Sequence, residues 1–170
     1  MKKLVKKILF ITVIIASLLL SSCGDMQKHS SAGLTFYLPK DMEEMTVVYA
    51  DLCYGNGECE FFVYYYSRDE LLIKNFIDKD STSEEYLLDF IAFNEYVDVD
   101  FTADSEKNTA TAKYLYESVS EYTYYCDFVI RTYNVLAHVT MNCDGELRDK
   151  YEPIFDEWIE MISMEELKQA

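Results

Sequence analysis

The sequence predicts an α+β domain, an antiparallel β-sheet packed by helices. Three observations lead there. Short runs of alternating apolar residues flank turn signals at Gly55-Asn56-Gly57 and Tyr133-Asn134. A capping-box pattern precedes an apolar stripe at helical spacing across residues 86–93. The chain then closes on a stretch with a broad apolar face, made of Ile154, Phe155, Trp158, Ile159, Met161 and Ile162. Elements that each carry one apolar face must bury them against one another in layers.

In order, residues 34–39 (LTFYLP) alternate and stop at Pro39. Residues 46–54 and 58–66 read as two strands joined by the Gly-Asn-Gly turn, and 61–66 (FFVYYY) is nearly continuous apolar sequence, as in a central strand. Residues 68–78 read two ways, as a short helix opened by Ser67 and Glu70 or as an edge strand over 71–76. Ser81 with Glu84, or Thr82 with Glu85, makes a capping box ahead of Tyr86, Leu87, Phe90, Ile91 and Phe93, predicting a helix over 83–95. A short strand over 97–101 leads through a polar loop to strands over 109–118 and 121–132. In the latter Tyr122, Tyr124, Cys126, Phe128 and Ile130 share a face. With Tyr133-Asn134 as a two-residue hairpin loop, Val135, Ala137, Val139, Met141 and Cys143 share a face on the next strand, and Cys126 stands opposite Met141. The two apolar faces then coincide. The stretch ELRDKYEPIFDEWIEMIS is a helix or two helical pieces, with Pro153 suited to a first turn.

The succession GLTFYLP, TSEEYLLDF, YNVLAHVTMNC and YEPIFDEWIEMIS resembles the PsbP/Mog1-type α/β sandwich over roughly residues 33–164. The resemblance implies a binding or accessory role rather than an enzyme, and carries over no functional residues.

The N-terminus reads as an address. Lys2, Lys3, Lys6 and Lys7 precede an apolar run over 8–20, and Ser21 and Ser22 precede Cys23. The run is shorter than the roughly 20 residues a transmembrane helix needs. Leu20-Ser21-Ser22-Cys23 resembles the lipobox of bacterial lipoproteins. That resemblance implies a signal peptide over 1–22, a lipid on Cys23, and a lipid-anchored protein on the extracytoplasmic face of a cell membrane. An ordinary signal peptide and an uncleaved anchor helix are the alternatives. Residues 23–33 read as the lipidated cysteine and a flexible tether, and 34–170 as a single α+β domain.

Charge narrows the partners. The chain carries 15 basic and 31 acidic residues, net −16. Removal of 1–22 takes away four lysines and no acid, leaving 11 basic against 31 acidic residues, net −20. Nucleic acid and broad contact with anionic lipid are disfavoured.

Cys53, Cys59, Cys126 and Cys143 are an even set in a chain read as exported, so disulfides are expected, with buried free thiols as the alternative. Cys53 and Cys59 lie symmetrically about Asn56, and a three-residue loop would set them face to face. Cys126 and Cys143 share a face on adjacent strands, two residues off direct opposition.

No phosphate loop, zinc-protease motif, nucleophile elbow or EF-hand spacing is present. No cofactor or metal site is expected. His138 alternates with Ala137 and Val139, which reads as an outward-facing strand position. The pairs Asp98/Asp100 and Glu84/Glu85 are too ordinary in so acidic a chain to mark a site. Fifteen tyrosines are the oddity, among them Tyr64, Tyr65, Tyr66, Tyr114, Tyr116, Tyr122, Tyr124 and Tyr125 on strands. Exposed tyrosine suits protein or sugar partners; β propensity and core packing are the plainer account. The sequence therefore points to a non-enzymatic binding or accessory lipoprotein for a protein or envelope component. A carbohydrate- or peptide-binding lipoprotein with a Tyr-rich sheet face comes second. A hydrolase ranks below both, since no nucleophile–base set is visible.

Overall fold

The computed structural model describes residues 25–67, 70 and 80–165. The signal and lipobox readings lie outside those residues, as does most of the ambiguous 68–78 segment. Its start is visible: Ser67 N–H and Oγ–H donate to Glu70 Oε2 at 2.8 Å, and Glu70 N–H returns to Ser67 Oγ at 3.3 Å. That is the reciprocal pattern of a capping box.

The elements run β1 (Met26–Ser31), β2 (Leu34–Pro39), β3 (Glu43–Glu44), β4 (Leu52–Gly55), β5 (Cys59–Ser67), α1 (Ser83–Phe93), β6 (Asp100–Asp104), β7 (Thr109–Glu117), β8 (Tyr122–Arg131), β9 (Val135–Asp144), α2 (Arg148–Glu160) and β10 (Ser163–Met164). Seven strands form one sheet in the order β3-β4-β5-β9-β8-β7-β6, and β1-β2-β10 form a second. Every pairing is antiparallel.

The large sheet is buried on both faces. On one, Phe61, Val139 and Met141 pack with Leu34, Phe36 and Leu38 of β2 and with Tyr151, Phe155 and Trp158 of α2. On the other, Ala110, Ala112, Val129 and Leu136 pack beneath Tyr86 and Leu87 of α1. The α+β layering expected from the patterning is the architecture observed.

Local sequence explains the elements. Thr82 caps α1: Glu85 N–H donates to Thr82 Oγ1 at 3.2 Å and Thr82 N–H to Glu85 Oε2 at 2.8 Å, so the second of the two expected boxes is used. The β8–β9 hairpin turns at Tyr133-Asn134, closed by Thr132 N–H donating to Val135 C=O, and Cys126 pairs with Met141 as expected. Helix α2 is continuous through Pro153, five residues past its start, rather than starting there. Proline there forgoes one helical hydrogen bond; burial of Tyr151, Phe155 and Trp158 on both sides of it offsets the loss.

Three expectations are corrected. The stretch 23–33, read as a flexible tether before a domain starting at residue 34, contains β1, paired with β2 from Met26↔Pro39 to Ser31↔Leu34. Its sequence, MQKHSS, is polar throughout, so its fold comes from its partner strand rather than from its own periodicity. The strand expected over 46–54 is confined to Leu52–Gly55, and Val48 and Tyr49 are exposed in the loop before it. The β4–β5 hairpin closes around Asn56, whose Oδ1 accepts from Glu58 N–H and Cys59 N–H, both at 3.1 Å, so that Gly55 pairs with Glu60 and Cys53 with Phe62. This register differs by three residues from the one that would face Cys53 with Cys59. An odd shift puts side chains on opposite faces, so those two cysteines cannot bridge. Cys59 instead stands directly opposite Cys143. All four cysteines are buried free thiols. Burial pushes Cys53 and Cys143 up to about 11 and Cys59 to about 12, keeping them protonated at neutral pH.

The β1–β2 turn offers a stability test. Ala32 and Gly33 both adopt positive φ, 47° and 85°, the geometry of a two-residue hairpin turn that favours Asn-Gly. Alanine is strained there. Ala32→Asn is expected to raise the unfolding free energy by about 0.5–1 kcal/mol, read by urea denaturation; a loss of stability would count against this turn.

Candidate ligand-binding cleft

His138 is the residue the sequence misplaced. It lies on the sheet face opposite Ala137 and Val139, as alternation requires, but α1 covers that face and leaves it 2% exposed. Its Nε2–H donates to Asp127 Oδ1 at 2.9 Å, and its Nδ1 shares a hydrogen bond with the Tyr86 hydroxyl at 3.1 Å. Asp127, 1% exposed, also accepts from Thr140 O–H at 2.6 Å and Tyr114 O–H at 2.7 Å. The carboxylate thus has three donors, which is how a buried charge is tolerated. Hydroxyl, imidazole and carboxylate stand in the order of a nucleophile–base–orienter set. The phenol that would be the nucleophile is sealed under α1 at 5% exposure, and no reactant reaches it in this conformation.

The network opens toward solvent through Tyr114. Its ring stacks on Tyr96 at 4.3 Å between centroids and on Tyr125 at 5.4 Å. Tyr116 meets Tyr96 and Tyr125 edge-on at 6.3 and 6.5 Å. Tyr114, Tyr116 and Tyr125 share one face of β7 and β8 because Tyr114 pairs with Tyr125. Tyr96 arrives from the loop after α1. Burial, and for Tyr114 the adjoining Asp127 carboxylate, raise Tyr96, Tyr114 and Tyr125 above the ordinary phenol value. All three stay neutral at neutral pH, and the Tyr114 and Tyr125 hydroxyls donate to Asp127 and Glu121.

Tyr96, Tyr114 and Tyr116 of this cluster line a cleft of about 540 Å³ at the end of β6. Residues 94–98, the loop that carries Tyr96, add to the lining, with Glu95 and Asp98 both at positive φ, 56° and 52°. Such strained non-glycine positions gather at ligand sites. Tyr122 and Arg148 close the side facing α2. Glu95, Asp98, Asp100 and Glu117 supply carboxylates. The two cations are already engaged: Lys113 Nζ with Asp156 Oδ1 at 2.6 Å, and Arg148 Nε with Glu152 Oε2 at 3.0 Å. The volume falls within the roughly 300–1,000 Å³ of ligand pockets. A second groove of about 570 Å³ lies between the β6–β7 end of the sheet and the end of α2, but its lining includes no tyrosine.

Of the residues singled out from the sequence, Tyr114, Tyr116, Tyr122, Tyr125, Asp98 and Asp100 meet at or beside this cleft. Tyr124 does not; it points to the other face and is fully buried. Cys53, Cys59, Cys126 and Cys143 lie outside it. Tyr96 and Asp127 were missed. Asp127 had a signal: a lone charge inside the apolar run YYCDFVI. Among the described residues no group of three or more His, Cys, Asp and Glu side chains is arranged to hold a metal ion.

No family model matches the sequence, and no curated protein does. Solved structures resemble the fold. The solution structure of cyanobacterial PsbP (CyanoP) from Synechocystis sp. PCC 6803 superposes with a TM-score of 0.61 at 13% identity, covering 84% of this chain and 97% of that one. A crystal structure from Bacteroides thetaiotaomicron VPI-5482 gives 0.52 at 10% identity, covering 86% of this chain and 50% of the other. The fold is therefore PsbP-like, as the residue patterns implied.

Proposed function

We propose that this protein is a lipid-anchored, extracytoplasmic lipoprotein whose PsbP-like domain is a non-enzymatic binding module for a protein or another envelope component, held by the tyrosine cleft at the end of β6. The observation carrying this reading is the cleft: stacked phenols, a carboxylate rim and a strained loop. Aromatic side chains give a partner large contact area at low entropic cost. The anchor reading rests on Leu20-Ser21-Ser22-Cys23. With lipid on Cys23 and β1 beginning at Met26, the three-residue step spans at most about 10 Å and holds the domain against the membrane. The net charge of −20 left after removal of 1–22 disfavours nucleic acid as a partner.

Affinity capture from envelope extracts, comparing the domain over 24–170 with its Tyr96→Ala/Tyr116→Ala variant, tests the reading. The expected result is a component retained by the first and lost, by about tenfold or more, from the second. Equal retention by a folded variant, or turnover of the retained component, contradicts it. A carbohydrate ligand is the second reading, favoured by tyrosine faces beside carboxylates; saccharide-array binding that the same variant abolishes would select it.

A further inference from the structure

The cleft is lined by consecutive residues of one strand, Lys113, Tyr114, Leu115, Tyr116 and Glu117. Neighbouring residues of a strand point to opposite faces, so a hollow touching all of them faces the strand's edge rather than either face. The register says the same. The β6 ladder ends at Asp100↔Lys113, while β7 continues to Glu117, fully paired with β8 on its other side as far as Glu117↔Tyr122.

The direction of the free backbone groups follows from flanking hydrogen bonds. Asn108 C=O accepts from Arg131 N–H, and Ser118 N–H donates to Glu121 C=O. Both are even-numbered positions turned toward β8 in an unbroken register. Residues of an antiparallel strand alternate in which neighbour they bond. Tyr114 and Tyr116 therefore bond toward β8, while Leu115 and Glu117 present N–H and C=O outward into the cleft. Among the described residues no strand pairs with those outward groups. The chain that would have extended β6 turns away at Asp98 and Glu95.

Resting on the reading of this cleft as the binding site, we infer that the open edge of β7 at Leu115 and Glu117 takes up an extended peptide segment bearing lysine or arginine, which continues the line of β6 as an added strand. Backbone groups supply the pairing, as in other strand-addition complexes. Charge selects the occupant. Glu95, Asp98, Asp100 and Glu117 border the cleft, whereas Lys113 and Arg148 are neutralised by α2 carboxylates. A cationic side chain laid along the edge meets these carboxylates and the phenol faces of Tyr96 and Tyr116, both suited to it. An acidic segment, or a second copy of this chain at net −16, is repelled. The overhang of four residues, 114–117, gives a ladder about 13 Å long.

Fluorescence titration of the domain over 24–170 with two labelled octapeptides, alternating lysine–threonine and alternating glutamate–threonine, provides the test, with amide hydrogen exchange at the cleft. The lysine peptide should bind at least about tenfold tighter, weaken with added salt, and slow exchange at the Leu115 and Glu117 amides. Glu117→Pro removes one outward N–H at an exposed edge position where proline is tolerated. It should weaken binding at least about threefold beyond Glu117→Gln, the weight of one backbone hydrogen bond, with unchanged circular dichroism. Asp98→Asn/Asp100→Asn should weaken the lysine peptide without harming the fold. Equal binding of both peptides, equal effects of the Pro and Gln variants, unchanged exchange at Leu115 and Glu117, or self-association through this edge would each overturn the inference. If the lysine peptide fails while captured envelope material still depends on Tyr96 and Tyr116, the inference falls and the binding function stands.

Discussion

Replacing Asp127 with alanine is expected to lower the unfolding free energy by about 2–4 kcal/mol, the cost of stranding the buried donors it accepts from. The carboxylate accepts from His138 Nε2, Thr140 Oγ1 and Tyr114 OH. Without it, the buried Tyr114 and His138 donors lose their acceptor, as does the half-buried Thr140 hydroxyl. Each costs about 1–3 kcal/mol if left unpaired, and only part of that is recovered by rotation or by water entering. Asp127→Asn should cost less, since the amide oxygen still accepts, but its NH2 then faces a neighbouring donor. Urea unfolding of the domain measures both. The effect should extend to the cleft, because Tyr114 is held between Asp127 and the Tyr96 ring. A loss below about 1 kcal/mol for Asp127→Ala would show that the network is dispensable.

Cys23→Ala is expected to abolish lipid labelling and leave unprocessed precursor or released protein in place of the mature membrane-bound form. The physical reason is the size of the anchor. Two acyl chains, at about 0.8 kcal/mol per buried methylene, hold a protein stably, whereas one chain holds it only marginally. Among the described residues no helix is long and apolar enough to cross a membrane. Cell fractionation with radiolabelled fatty acid reads the outcome. A variant that stays membrane-held, matured and lipid-labelled would remove the lipoprotein reading.

Much of the layering was legible because it rests on local chemistry. The Thr82–Glu85 capping box, the Tyr133-Asn134 hairpin and the coincidence of Cys126 with Met141 all follow from spacing within about twenty residues. What was not legible depends on partners remote in sequence. Nothing in MQKHSS announces β1, whose order comes from β2. His138 reads as a surface residue if β9 has one wet face, and only α1, fifty residues away, makes that face an interior. The β4–β5 register turned on the Asn56 side chain capturing two backbone amides, which moved Cys53 to the opposite face from Cys59. The cleft was half visible. Tyr114, Tyr116 and Tyr125 stood out as strand tyrosines, but their convergence with Tyr96 depends on where β6 stops, and no local signal marks that point.

The tyrosines also offer the most direct measurement, one that works before the ligand is identified. Oxidative footprinting compares the protein in the envelope membranes where the proposed anchor would hold it with the purified domain. Tyr116 and Tyr122 are 38% and 44% exposed at the cleft, while Tyr49 and Tyr133, 64% and 65% exposed, lie away from it, Tyr133 beyond the opposite end of β8. If the cleft is the binding site, Tyr116 and Tyr122 will be protected in the envelope while Tyr49 and Tyr133 react equally in both preparations. Undiminished reaction at Tyr116 and Tyr122, with protection confined to Tyr49 or Tyr133, would contradict it.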